Sequence, residues 1–137
     1  MLEFLHKMII KRFEDTDYSR LVTLWDNWSL PHTPITWIPK DTFMVEMDQK
    51  LVCSGSLYQL GNTPMFWAEG IISNKEIDKN IRKEGLDLLI NHLFLIAKAQ
   101  GADIVISSTP RDSLKDIFLS KGFNPAPEKY HHIARFE

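Results

Sequence analysis

Residues Met65 to Gly101, MFWAEGIISNKEIDKNIRKEGLDLLINHLFLIAKAQG, narrow the choice of fold more than any other part of the chain. They read as a strand, a basic loop with one glycine, and a long apolar helix closed by glycine. In the strand, Met65 to Ile72, alternation places Trp67, Glu69 and Ile71 on one face and Phe66, Ala68, Gly70 and Ile72 on the other. From Leu86 the period becomes helical, with Leu86, Leu89, Ile90, Leu93, Ile96 and Ala97 in one wide stripe. Gly101 stands where a helix ends in a left-handed residue. The apolar run Ile104-Val105-Ile106, within Ala102 to Ser107, reads as a parallel partner strand buried on both faces, with the helix as crossover. The loop carries Lys75, Lys79, Arg82 and Lys83 next to a helix N-terminus, whose unpaired N–H groups and dipole attract anions.

Around this unit the chain reads simply. Met8 to Phe13 is a first strand, and Asp15-Thr16-Asp17 offers an N-cap for a helix running to about Trp28 with Tyr18, Leu21, Val22, Trp25 and Trp28 at helical spacing. Leu30 to Pro39 holds three prolines, His32 and Trp37, and reads as a loop that either walls a pocket or plugs Trp37 into the core. Strands Thr42 to Met47 and Leu51 to Leu60 form a hairpin about Asp48-Gln49-Lys50, and the turn Gly61-Asn62-Thr63-Pro64 leads into the next strand. Gly55 marks a bulge or a close backbone approach. Thr109-Pro110 opens a helix with Leu114, Ile117 and Phe118 inward; Gly122 ends it, and Tyr130 to Phe136 is a last strand. On the long helix Leu88, Leu95 and Ala99, beside His92, form a second apolar strip that another helix, or a second subunit in a homodimer, would cover.

Composition excludes several classes. With 137 residues the chain suffices for one domain with a real core. A net charge of −2 argues against general nucleic-acid binding, though a local basic patch can take a phosphorylated cofactor. Cys53 is the only cysteine, which removes a disulfide framework and a thiolate zinc site. His6, His32 and His92 are scattered, and adjacent His131 and His132 would face opposite sides of a strand, so no metal site is readable. No apolar run has the length of a membrane span, and the segment MLEFLHK lacks a signal-peptide pattern, so the expected home is a reducing cytoplasm.

The order of strand, helix, three-strand meander, basic loop, long helix, strand, short helix and strand resembles the GNAT family of acyl-CoA-dependent N-acetyltransferases. The best local match is Lys98 to Phe123: a helix ending in Gln100-Gly101-Ala102, an apolar strand, then a short helix ending in Lys121-Gly122-Phe123. The resemblance implies an α/β domain with a mixed, mostly antiparallel central sheet, one splayed parallel pair and flanking helices. It also implies acetyl-CoA as cofactor and a small-molecule or peptide amine as acceptor. The family's cofactor loop, Gln/Arg-x-x-Gly-x-Gly/Ala, maps onto Arg82, Lys83, Glu84, Gly85 and Leu86, with Asp87 in place of the last small residue.

Further site residues follow from the same resemblance. Glu69 is the base candidate, since several members carry a glutamate on that strand, and apolar neighbours on its face would raise its pKa toward useful values. Without the resemblance Glu69 also reads as a structural glutamate paired across strands. Backbone N–H groups at Gly70, Ile71 and Ile72 would contact the oxyanion and hold the pantetheine arm. The family's tyrosine acid for the thiolate falls at Phe118, which cannot donate a proton, and its asparagine falls at Arg111, which can pair with a phosphate. Tyr130 is the substitute acid nearest in sequence, with an ordinary pKa of about 10. Trp37 is assigned to the acceptor. These departures leave a second expectation: a GNAT-fold module that binds acyl-CoA or partners without turnover.

Overall fold

The computed structural model describes residues 7–109 and 112–124. Among these residues five strands form one sheet: β1 (Met8–Arg12), β2 (Asp41–Met47), β3 (Lys50–Gln59), β4 (Met65–Ser73) and β5 (Ile104–Ser107), ordered as in the chain. The first four are antiparallel to their neighbours, whereas β4 and β5 run parallel from Met65↔Ile104 to Ala68↔Ser107. Asp48 and Gln49, both at positive φ, close a two-residue β2–β3 hairpin, the geometry that fits the strand twist.

The helices α1 (Tyr18–Asn27), α2 (Lys79–Ala99) and α3 (Asp112–Ser120) complete the layers. Leu89, Leu93 and Ala97 of α2 pack on Phe43, Val45, Leu57, Phe66 and Ala68 of the sheet. Leu21 and Leu24 of α1 meet Met44, Leu51 and Ile72 in a separate core. α3 adds Leu114, Ile117 and Phe118 against Ile90.

α1 is entered differently from the expected N-cap. Asp15–Asp17 is a 3-10 turn, and the buried Asp17 caps no N–H of α1. Its carboxylate accepts from Glu14 N–H at 3.0 Å and pairs with Lys11 at 2.9 Å and Arg20 at 3.4 Å. Burial alone would raise its pKa, but these donors outweigh burial and hold it below the ordinary value. Asp41 is handled alike: Arg12 Nη1 at 2.6 Å and Gln100 Nε2 at 2.8 Å tie β2 to β1 and to the end of α2.

α2 begins roughly two turns before Leu86, where the apolar period starts. Asp78 is its N-cap, accepting from Asn80 N–H at 3.0 Å and Ile81 N–H at 3.4 Å. The residues expected as a phosphate loop, Arg82 to Leu86, are therefore helical. Its end matches expectation: Gly101 (φ +87°) donates to Lys98 O and Ala102 N–H to Ala97 O, a Schellman closure. Of the second strip, Leu88 packs on the core and His92 sits edge-on to Phe43, while Leu95 is 63% exposed.

β5 departs from the expected doubly buried strand. It is the last strand on its side among the described residues, and Ile104 is 49% exposed. The strand expected over Tyr130 to Phe136 lies outside the described residues. No helix among them is long and apolar enough to cross a membrane.

Candidate functional site

Two cavities flank the second half of β4, and the reason is local. Pairing with β5 stops at Ala68, while β4 runs on to Ser73 beside β3 alone, so the parallel pair splays. In the β3–β4 ladder Ser54 faces Ile72 and Ser56 faces Glu69, which leaves an extra residue on β4. Gly70 supplies the bulge with φ +67°, a conformation other residues adopt only under strain. The bulge reverses the alternation expected from sequence. Ile71 turns toward α2, coming within 2.9 Å of where a Cβ on Gly55 would sit, while Ile72 joins Glu69 on the α1 side.

The larger cavity is a groove of about 800 Å³ between the end of β4, the first turns of α2, and α3. Lys79, Arg82 and Lys83 stand on its wall, with Leu86, Leu114 and Ile117 as apolar surface. Arg82 Nε is buried and has no hydrogen-bond partner among the described residues. Asp87 also reaches the groove, but its Oδ1 is held by Lys121 Nζ at 2.7 Å.

The smaller pocket, of about 340 Å³, lies on the opposite side under α1 and the Pro-rich segment. Trp25, Trp37 and Tyr58 line it together with Glu69, Ser56 and Thr42. Tyr58 Oη donates to Glu69 Oε2 at 2.6 Å. Burial, then the bond to the Glu69 carboxylate and its charge, pushes the Tyr58 pKa up to about 12. Trp37, at the end of a short 3-10 turn (Ile35–Trp37), is 73% exposed, so it walls the pocket and is not a core plug.

The expected site residues divide accordingly. Ile71, Ile72, Arg82, Lys83, Glu84 and Leu86 line the groove. Gly70 and Glu69 line the pocket, where Glu69 is exposed and not enclosed by Trp67 and Ile71 as the alternation implied. Gly85 belongs to neither cavity: it is buried inside α2, and a Cβ there would stand 2.5 Å from Val52 Cγ1. Its role is close helix–sheet packing. Phe118 is likewise core, because Gly122 N–H bonds Leu119 O and Phe123 N–H bonds Phe118 O, closing α3 with Phe118 and Phe123 in edge contact at 4.9 Å. Arg111 and Tyr130 lie outside the described residues. Sequence reasoning passed over Ser54, Ser56 and Tyr58, although three alternate polar residues on an inner strand are themselves a signal of a cavity.

No family model matches the sequence. No curated protein matches it either. Solved structures do. An acetyltransferase from Trypanosoma brucei superposes with a TM-score of 0.70 at 16% identity, covering 93% of this chain and 100% of that one. N-acetylglutamate synthase from Neisseria gonorrhoeae, complexed with coenzyme A and N-acetyl-glutamate, gives 0.68 at 16% identity over 88% of this chain, which spans 29% of the synthase. An aminoglycoside acetyltransferase from an uncultured soil metagenomic sample, in complex with sisomicin, gives 0.64 at 13% identity, covering 95% of this chain and 96% of that one.

The fold is that of the GNAT acetyltransferases. The sheet splays after Ala68, so that β4 keeps only β3 as a partner there, with a cavity on either side. In this chain the long helix α2 begins at Lys79, and the carboxylate of Asp78 caps that end.

Proposed function

We propose that this domain is an N-acetyltransferase that moves an acetyl group from acetyl-CoA directly to an amine. The observation that carries the reading is that two cavities of unlike chemistry meet at one stretch of β4. Ile72 lines both, with the basic groove on one side and the carboxylate of Glu69 on the other.

The groove suits the cofactor. The partnerless buried Nε of Arg82 is a donor that an anionic oxygen would satisfy, and Lys79 and Lys83 add charge beside it. Because Asp78 already takes two amides of the helix N-terminus, side chains and not backbone N–H groups would carry the phosphates. Among the described residues the edge of β4 at Gly70, Ile71 and Ile72 has no strand beside it on the β5 side, and it can receive a pantetheine arm as an added strand. Bound there, acetyl-CoA supplies an acetyl thioester as the electrophile.

On the pocket side Glu69 would accept the proton of the incoming ammonium, with Tyr58 fixing the carboxylate by its hydrogen bond. Trp37 would wall the acceptor. On the same reading Arg111 remains the candidate for a phosphate contact and Tyr130 for protonating the departing thiolate. The test is a calorimetric titration with acetyl-CoA and with coenzyme A, followed by thiol release over a panel of amines. Saturable binding with acceptor-dependent release is expected, and absence of binding overturns the proposal. Binding with no amine turned over would favour a GNAT-fold binding module. One observation favours that second reading: Phe118, in the place of the family's acid, is packed in the core.

A further inference from the structure

The smaller pocket carries more information than its shape, because the protons of its hydroxyl groups can be followed. Thr42 Oγ1 donates to Pro39 O at 2.8 Å, which uses its single proton. The 2.7 Å contact between Thr42 Oγ1 and Ser56 Oγ must then be donated by Ser56. Ser54 Oγ donates to Phe43 O at 2.9 Å. Tyr58 Oη donates to Glu69 at 2.6 Å. Four hydroxyl groups on this wall therefore have their protons committed inside the protein and present lone pairs alone. The Glu69 carboxylate, which accepts from Tyr58, joins them, and no lysine, arginine or histidine side chain is among the described residues lining the cavity. Thr33 adds a fifth, neutral hydroxyl to the lining, and the rest of the surface is mostly apolar and aromatic, including Trp25, Trp37, Leu21 and Ile38.

We infer that the pocket selects a primary monoamine with an uncharged apolar or aromatic body, and rejects acceptors that carry a carboxylate beside the amine. An ammonium brings three donors and a positive charge to a wall of acceptors, and the rings of Trp25 and Trp37 add cation–π attraction. A carboxylate would meet lone pairs and Glu69 without a cation to pair with. A volume of about 340 Å³ admits one small amine and not a large polycation. The inference rests on the acetyltransferase reading for what happens to the amine, but not for the binding itself.

The test is calorimetry on the full chain, with and without coenzyme A, using 2-phenylethylamine, phenylalanine and 2-phenylethanol. These share a body and differ only at the polar end. The amine is expected to bind about tenfold or more tightly than either analogue, the scale of one hydrogen bond to a charged group. In Glu69→Gln the amine should lose that advantage over the alcohol, with circular dichroism confirming an unchanged fold. Phenylalanine or the alcohol binding as tightly as the amine, or no amine binding in either condition, overturns the inference. Selective amine binding without acetyl transfer supports it while removing the acetyltransferase reading.

Discussion

The carboxylate of Glu69 is exposed to the pocket, takes a hydrogen bond from Tyr58, and faces Ser56 across the ladder. If it removes the ammonium proton, Glu69→Gln keeps the shape and loses the acceptor. Turnover should then fall about a hundredfold or more, the usual scale for a lost general base, with acetyl-CoA affinity unchanged by calorimetry. The sequence offers Glu69 as a candidate, and it does line the pocket, but its surroundings were not legible. Strand alternation put Trp67 and Ile71 beside it, and the left-handed φ of Gly70 removes Ile71 from that face while Trp67 keeps its register. Gly55, also in a strand, shows no such φ and is small for another reason, the approach of Ile71 and Leu89. Two strand glycines look alike in sequence and differ in cause. A second residue, Asp41, gives a pH prediction. Arg12 and Gln100 overcome its burial and hold its pKa below the ordinary 3.8. A depressed carboxylate contributes stability above its unfolded pKa and loses it as pH falls through the folded value. Asp41→Asn should lower the melting temperature at pH 7, and the gap to wild type should narrow in thermal unfolding as pH falls below the ordinary 3.8 and through the depressed folded value.

At the scale of single elements, α2 shows why a helix start is hard to read. Its first turns carry Lys79, Asn80, Arg82 and Lys83 over a groove, so no apolar stripe announces them, and Asp78 begins the helix by capping. Gly85 then falls inside the helix. Gly85→Ala would gain about 1 kcal/mol of helix propensity. Against that, its Cβ would stand 2.5 Å from Val52 Cγ1, and Val52 is fully buried and has no room to yield. Overpacking costs about 1–3 kcal/mol, so a net loss of stability is expected in denaturant unfolding. The end of α3 is decided the same way, by packing. Phe118 meets Phe123 across the Schellman closure and Ile90 below it. Phe118→Tyr would place a hydroxyl in that apolar cluster and should destabilise the protein by about 1–3 kcal/mol, with no gain in thiol release. The family resemblance placed Phe118 at the cofactor, but the apolar stripe it shares with Leu114 and Ile117 is buried, as the helical spacing implied.

Across the whole molecule, the order of elements in the sequence fixes the sheet order, because short turns join β2 to β3 and β3 to β4 and a helix joins β4 to β5. The division of labour between the two faces of β4 was not legible, since it depends on a bulge and on where the β4–β5 pairing stops. That division yields a paired prediction. Arg82 and Lys83 stand only in the groove, Trp37 only in the pocket, and β4 with its flanking cores lies between them. Changing Arg82 and Lys83 together to Ala should weaken acetyl-CoA binding, and the loss should be greater at low salt because the attraction is electrostatic. Amine binding in the pocket should not move. Trp37→Ala should do the reverse, raising the KM for the amine and leaving acetyl-CoA affinity as it was. Because Trp37 is 73% exposed, its removal should leave the melting temperature nearly unchanged. The crossed design separates the two cavities in one set of titrations. If either variant shifts both ligands equally, the cavities do not act as separate sites, and β4 is not the divider between cofactor and acceptor.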